Sequence, residues 1–229
     1  MLETFDSLEY KIEPRPNAKD WWVGDGNSLP LLGENQEHPS LLIIKDAINP
    51  SQCKVLIDCY ERNYKELAEH TGVEFWDGRY IQFHDIISHE VEAVRIMQQI
   101  RHFANLTIIN EFAVGEPVYS DCSQLVRWHA GLEMKPHADN LKSDGSPNAT
   151  SHRTYSSILY LNDDYEGGHT YYPGLGVRIA PKAGSLLLFG AGYEHVHGVT
   201  KITSGLRYTY SGWFTDDIGW RDEKSLIVV

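Results

Sequence analysis

Two short groups of residues in this 229-residue chain carry side chains that bind metals. His137-Ala138-Asp139 sets an imidazole and a carboxylate two positions apart. On an extended backbone such residues point to the same side and face a common point. His195-Val196-His197 offers two more imidazoles at the same spacing. It follows a turn and a strongly apolar run, Pro181 to Phe189, which reads as a strand that delivers the histidines to its far end. Two imidazoles and one carboxylate, with other positions left open, form the facial set that suits a divalent iron. Local sequence alone leaves His195 and His197 as competing ligands, and a His and an Asp two apart are commonplace by themselves. Arg207 lies ten residues beyond His197, inside the apolar and aromatic run Gly205 to Phe214. A buried guanidinium needs a partner, because an unpaired internal charge is expensive. The partner is either an internal Asp or Glu, or a dicarboxylic small molecule whose carboxylate accepts the forked donors.

The elements that must hold these residues can be read from composition. Residues 123–129, 155–161, 169–172, 184–189 and 206–214 are short and rich in β-branched, aromatic and Leu residues, with Gly, Pro, Asn and Asp between them. Such a series reads as an all-β sandwich or barrel. Upstream, Leu41 to Ile44 reads as a buried strand and 80–83 as another. Asn49-Pro50-Ser51-Gln52 reads as the start of a helix over 51–69. Val91, Val94, Met97 and Ile100 recur at three-residue steps and predict a second helix over 89–104. Residues 1–40 look irregular, and the polar stretch Leu141 to Arg153 is long for a hairpin, which marks it as a functional or a mobile loop. No linker divides the chain. The expectation is one domain over 1–229, with helical support and leading strands in 1–120 and a β core in 121–216.

Charge and cysteines narrow the function classes. Lys and Arg number 20 against 32 Asp and Glu, a net charge of −12, the opposite of a nucleic-acid or anionic-lipid binder. No run approaches the ~18 apolar residues of a membrane span, and the N-terminus has no apolar core of a signal peptide. Cys53, Cys59 and Cys122 are an odd number without metal spacing; Cys53 and Cys59 are expected on different faces of one helix. They read as reduced thiols of a cytoplasmic protein. Asn148-Ala149-Thr150 is a glycosylation sequon, read here as an exposed loop. The 11 His, 13 Tyr and 6 Trp suit an aromatic-rich β protein with a polar or metal-containing pocket. His129, His152 and His169 read as surface or loop residues, with His152 and Arg153 placed to touch a substrate. Gly167-Gly168 and Asn162-Asp163-Asp164 read as turn residues, and Tyr171, Tyr172, Tyr208 and Tyr210 as core. The apolar Leu226 to Val229 could pack internally or across a dimer, so the oligomeric state stays open.

Longer stretches carry a family resemblance: WHAGLEMKPHADN at 128–140, YSSILYLNDDYEGGHTYY at 155–172, PKAGSLLLF at 181–189 and HGVTKITSGLRYTYSGWF at 197–214. Together they resemble the prolyl hydroxylase-like branch of the Fe(II)/2-oxoglutarate dioxygenases, and 152–164 is especially similar to prolyl 3-hydroxylases. The resemblance implies a mainly β fold with flanking helices: a double-stranded β-helix (a cupin-like jelly roll), with the N-terminal helices packed on one sheet. It implies His137, Asp139 and His197 as iron ligands, since the family's spacing of ten to the basic residue selects His197 over His195. It implies Arg207 and Tyr160 on the distal carboxylate of 2-oxoglutarate, with Thr209 as a second partner. Ser156 and Ile158 would line the cosubstrate pocket. Trp128 stands where relatives carry a Tyr near the cosubstrate, and Trp213 where they keep an aromatic near iron or substrate. The implied cofactors are Fe(II), 2-oxoglutarate and O₂, with ascorbate as an accessory reductant. The implied activity is hydroxylation of an unactivated C–H bond, with peptidyl-prolyl hydroxylation one form. The alternatives are an oxygenase of a free amino acid or small metabolite, and a non-catalytic cupin-like metal- or sugar-binding module, with a zinc hydrolase last. The partner is accordingly a peptide, a protein or a small molecule, and neither nucleic acid nor membrane.

Overall fold

The structure is a computed structural model that describes residues 26–32, 38–67, 75–113 and 115–226. Most of the irregular leader and the apolar end Ile227-Val228-Val229 lie outside the described residues. Helix α1 (Pro50–Leu67) starts where the sequence places it. Asn49 and Gln52 cap each other: each backbone N–H donates to the other's side-chain oxygen at 3.0 Å. Pro50 fills the first turn, where its missing N–H costs nothing. Strand β1 is Leu31–Leu32, β2 Leu42–Ile44 and β3 Tyr80–Gln82. A one-turn helix α2 (Phe83–Ile86) follows, then the long α3 (Val91–Glu111). The second half supplies β4 (Tyr119–His129), β5 (Met134–His137), β6 (Tyr155–Tyr160), β7 (Thr170–Tyr172) and β8 (Val177–Ile179). It ends with β9 (Leu186–Gly190), β10 (His197–Val199) and β11 (Leu206–Thr215).

The strands form a five-stranded sheet, β1-β8-β7-β10-β5, and a six-stranded sheet, β2-β9-β6-β11-β4-β3. From β4 to β11 the chain passes back and forth between the two sheets, which is the double-stranded β-helix that the resemblance implied. Period-two alternation assigns the faces of the larger sheet. Leu125, Leu159, Leu186, Leu188, Tyr210 and Phe214 point outward and meet Leu56, Cys59, Val94, Met97 and Ile108 of the helices. Val126, Trp128, Ser156, Ile158, Phe189, Arg207 and Thr209 point inward and border a cavity of about 780 Å³. The helices therefore cover one sheet face, and the chemistry sits on the other.

Most boundaries shift by one or two residues from the sequence reading, and three of the differences have a visible cause. Strand β3 stops at Gln82 rather than 83, because the Asp85 carboxylate accepts from the Gln82 N–H at 2.8 Å and turns the chain into α2. Helix α3 runs to Glu111 rather than 104. Thr107, Ile108 and Ile109 lower its local propensity, but burial of Ala104 and Ile108 against the sheet holds the last turns. Strand β4 begins at Tyr119 rather than 123: its polar start pairs Ser120 with Phe214 and Tyr119 with Thr215. Cys53 and Cys59 do not diverge into different environments; both are buried in one core, since α1 is covered by neighbours on more than one side. We expect Leu188→Ala, at a fully buried site between helices and sheet, to cost roughly 2–5 kcal/mol in urea unfolding.

Candidate active site

Antiparallel pairing of β10 with β5 sets His197 directly opposite His137. Their rings lie 4.5 Å apart, centre to centre. Asp139 follows β5 and is fixed by its N–H, which donates to the Ala191 carbonyl at the end of β9. Its Oδ1 lies 3.7 Å from His137 Nε2, and one ligand atom from each of the three residues falls within 4.8 Å of the others.

Hydrogen bonds on the far sides of these groups turn them toward a common point. His137 Nδ1 lies 3.2 Å from the Lys135 carbonyl, and His197 Nδ1 lies 3.0 Å from the His195 carbonyl. A carbonyl only accepts, so each Nδ1 carries the proton and each Nε2 keeps a lone pair for a metal. The Ser156 hydroxyl donates to Asp139 Oδ2 at 2.6 Å and leaves Oδ1 facing the imidazoles. Burial, reinforced by neighbouring His137, lowers the His197 pKa and keeps the ring neutral. Burial pushes the Asp139 carboxyl up, but His197, His137 and the Ser156 hydroxyl outweigh it and hold it below the ordinary carboxylate range. Neutral imidazoles and an ionised carboxylate are the forms that ligate metal, so the donor set fits Fe(II).

His195 does not join this cluster. Its Nε2 lies 2.9 Å from the Ser40 carbonyl, so the side chain ties the lead-in to β2 while its own carbonyl orients His197.

Arg207 borders the same cavity and is 1% exposed. Its Nε donates to the Gly168 carbonyl at 3.1 Å, and one Nη reaches Thr170 Oγ1 at 3.5 Å. No carboxylate pairs with it among the described residues, which removes the internal ion pair as its partner. The guanidinium lies 5.4 Å from the ring centre of Trp128, its direct cross-strand partner, and 5.5 Å from that of Tyr160. Thr209, Ser156, Ile158 and Trp128 all line the cavity. Tyr160 stands just behind them. It is buried beside Arg207, and its hydroxyl bonds Thr170 Oγ1 at 2.7 Å rather than bordering the cavity.

Other residues turn out to have more than the part read from sequence. Gly168 is not only a turn residue: at φ +64° its carbonyl holds Arg207, and a Cβ there would stand 3.0 Å from Arg207 Cδ. Asn162 accepts from the Tyr208 N–H and donates to the Leu206 carbonyl, which pins the strand on both sides of Arg207. Within the 141–153 loop, the Asn148 side-chain amide and the Thr150 hydroxyl both donate to the Asp139 carbonyl, at 3.0 and 2.7 Å. The sequon asparagine is thus half-buried and engaged, and the loop is a cavity wall. Arg153 also lines the cavity, stacked 4.1 Å from the Trp213 ring centre and paired with Asp121 at 3.0 Å. His152 instead stacks on Trp220 at 3.9 Å. No local signal could reveal the Ser156–Asp139 or Thr150–Asp139 bonds, which join residues 17 and 11 positions apart.

Asp139→Ala is expected to abolish binding of Fe(II), or of Mn(II) as its redox-inert substitute, in anaerobic calorimetry. Ser156→Ala, which frees the second carboxylate oxygen, is expected to weaken it by about 10–100-fold.

Comparison with known proteins agrees with this geometry. Residues 123–215 match the family model described as the 2OG-Fe(II) oxygenase superfamily. Human prolyl 3-hydroxylase 2 is 37% identical over 98 residues, 38% of this chain and 14% of that protein. Its chicken (Gallus gallus) counterpart is 36% identical over 153 residues, 58% of this chain and 22% of that protein. The chain thus spans less than a quarter of the curated relatives it matches. Among solved structures, a viral collagen prolyl hydroxylase from Paramecium Bursaria Chlorella virus-1, in its 2OG complex, superposes with TM-score 0.60 at 19% identity. That match covers 77% of this chain and 95% of the other. A Trichoplax adhaerens prolyl hydroxylase, in complex with a hypoxia inducible factor peptide fragment, gives TM-score 0.61 at 19% identity over 78% of this chain and 84% of that one. The double-stranded β-helix is shared with both, and the stretch that matches the 2OG-Fe(II) oxygenase superfamily model, residues 123–215, contains His137, Asp139, His197 and Arg207.

Proposed function

We propose that this chain is an Fe(II)- and 2-oxoglutarate-dependent hydroxylase acting on proline in a peptide. One observation carries the reading: a single cavity holds a facial set of two imidazoles and a carboxylate together with a buried arginine that pairs with no acid among the described residues. A carboxylate-bearing cosubstrate that chelates a metal satisfies both ends at once.

His137, Asp139 and His197 would hold the iron through Nε2, Oδ1 and Nε2. When bound, Fe(II) supplies the oxidising chemistry: O₂ and 2-oxoglutarate become succinate and CO₂ as one oxygen atom enters a C–H bond. The protein's part is placement. Arg207 binds the distal carboxylate with its forked donors, replacing the penalty of an unpaired charge with an ion pair. Thr209 and Trp128 flank it, and Tyr160 and Thr170 brace the guanidinium from the side. Ser156 keeps one oxygen of Asp139 occupied, so the carboxylate meets the metal through the other. Ile158, Phe189 and Val199 give the cavity dry walls that keep water from the reacting atoms.

Support for a peptidyl substrate comes from the wall formed by Arg153 and Trp213. A planar ring beside a half-used guanidinium suits a proline ring next to a peptide carbonyl. The prolyl 3-hydroxylase likeness and the peptide-bound Trichoplax neighbour point the same way. We extend the reading to a reducing, cytoplasmic setting, supported by the three free thiols at Cys53, Cys59 and Cys122, and to ascorbate as accessory reductant on the family likeness alone.

Incubation with Fe(II), 2-oxoglutarate, ascorbate and proline-containing peptides should give succinate and the added mass of one oxygen on proline. Oxygen added only to free amino acids or metabolites would overturn the peptide assignment, and absence of succinate with every substrate would overturn the enzyme. Arg207→Met should raise the 2-oxoglutarate requirement by roughly a few hundred-fold or more, the loss of one partner of a buried charge pair.

A further inference from the structure

Arg79 has no part in the chemistry above, yet it is buried, 6% exposed, just before β3. One Nη donates to the Phe75 carbonyl at 2.6 Å, while Nε and the other Nη are buried without an acceptor. Its guanidinium carbon lies 4.2 Å from the ring centre of Phe75, 5.2 Å from that of Trp76 and 4.2 Å from that of Trp128. Among the described residues no carboxylate pairs with it. Burial, resisted by Tyr60 and reinforced by Arg207, brings its pKa down to about 10, so it stays charged at neutral pH.

Trp128 is thus shared by two buried guanidinium groups, 4.2 Å from Arg79 and 5.4 Å from Arg207. The two cations stand no more than about 10 Å apart and repel each other in the free protein. A dianion bound at Arg207 relieves both. The ring between them borders the cavity and carries an indole N–H that is buried without an acceptor.

We propose that Arg79 is a positioning residue for the cosubstrate: stacked on Trp128, it fixes that ring against the cavity and adds a second positive charge to the field that Arg207 presents to a dicarboxylate. The proposal rests on Arg207 as the carboxylate anchor. The competing role is structural, with Arg79 as packing between three aromatic rings.

The two are separated by titrating 2-oxoglutarate into the full chain loaded with Mn(II), by calorimetry without turnover. Arg79→Met is expected to weaken cosubstrate binding about tenfold, the effect of one charge at ~10 Å in a medium of effective dielectric ~20. Its Mn(II) affinity should be unchanged, and its melting temperature without cosubstrate equal to wild type or higher, because no acid is left orphaned. Arg79→Lys keeps the charge and should bind within about threefold of wild type. The proposal fails if Arg79→Met binds within about twofold of wild type while Arg207→Met loses binding. It also fails if Arg79→Lys loses as much as Arg79→Met. If Arg207→Met itself binds normally, the cosubstrate reading beneath the proposal is what fails. Should Arg79→Met not fold, Arg79→Gln carries the same comparison.

Discussion

Arg207 heads the fully buried side chains in size, and it is held by the Gly168 carbonyl, by the Thr170 hydroxyl at the edge of bonding distance, and by the rings of Trp128 and Tyr160. A guanidinium held that way, with no acid paired to it among the described residues, is a cost the fold carries until an anion arrives. Much of the surrounding structure exists to hold it in place. Gly167 and Gly168 adopt positive φ; a Cβ at the first would stand 2.0 Å from the Lys201 carbonyl oxygen. Asn162 clamps the strand on both sides, and Tyr160 with Thr170 closes the flank.

The metal end is built on a different economy of hydrogen bonds. Three groups that would otherwise rotate freely are each tied on the side away from the common point: two imidazoles by backbone carbonyls, one carboxylate by a serine. The long loop then grips the Asp139 backbone through Asn148 and Thr150. Strand register brings His137 and His197 together, and β-alternation puts Ser156 and Arg207 on the same inner face. The helices, packed against the opposite face, let that inner face be polar without unfolding the sheet.

The sequence made parts of this legible for definite reasons. Short runs rich in β-branched, aromatic and Leu residues, with Gly, Pro, Asn and Asp between them, exposed the later strands, and the long stretches at 128–140, 155–172 and 197–214 exposed the ligand set through resemblance. His195 and His197 could not be separated by local pattern; the family spacing separated them, and the Ser40 contact of His195 agrees. The resemblance implies Tyr160 as a partner of the distal carboxylate, but no pattern in the sequence foretells that its hydroxyl meets Thr170 of the facing sheet beside Arg207. Long-range contacts such as Ser156 to Asp139, Arg153 to Trp213 and Arg79 to Trp128 leave no mark in composition or period, since tertiary approach alone creates them. The same holds for α3, whose last turns persist through packing rather than propensity.

An anaerobic crystal structure of the chain with Fe(II) and 2-oxoglutarate puts both ends of the cavity to the test at once. The expected result is metal bound by His137 Nε2, Asp139 Oδ1 and His197 Nε2, with the distal carboxylate on the Arg207 guanidinium. Metal held by His195 in place of His197, or a cosubstrate carboxylate turned away from Arg207, would contradict it.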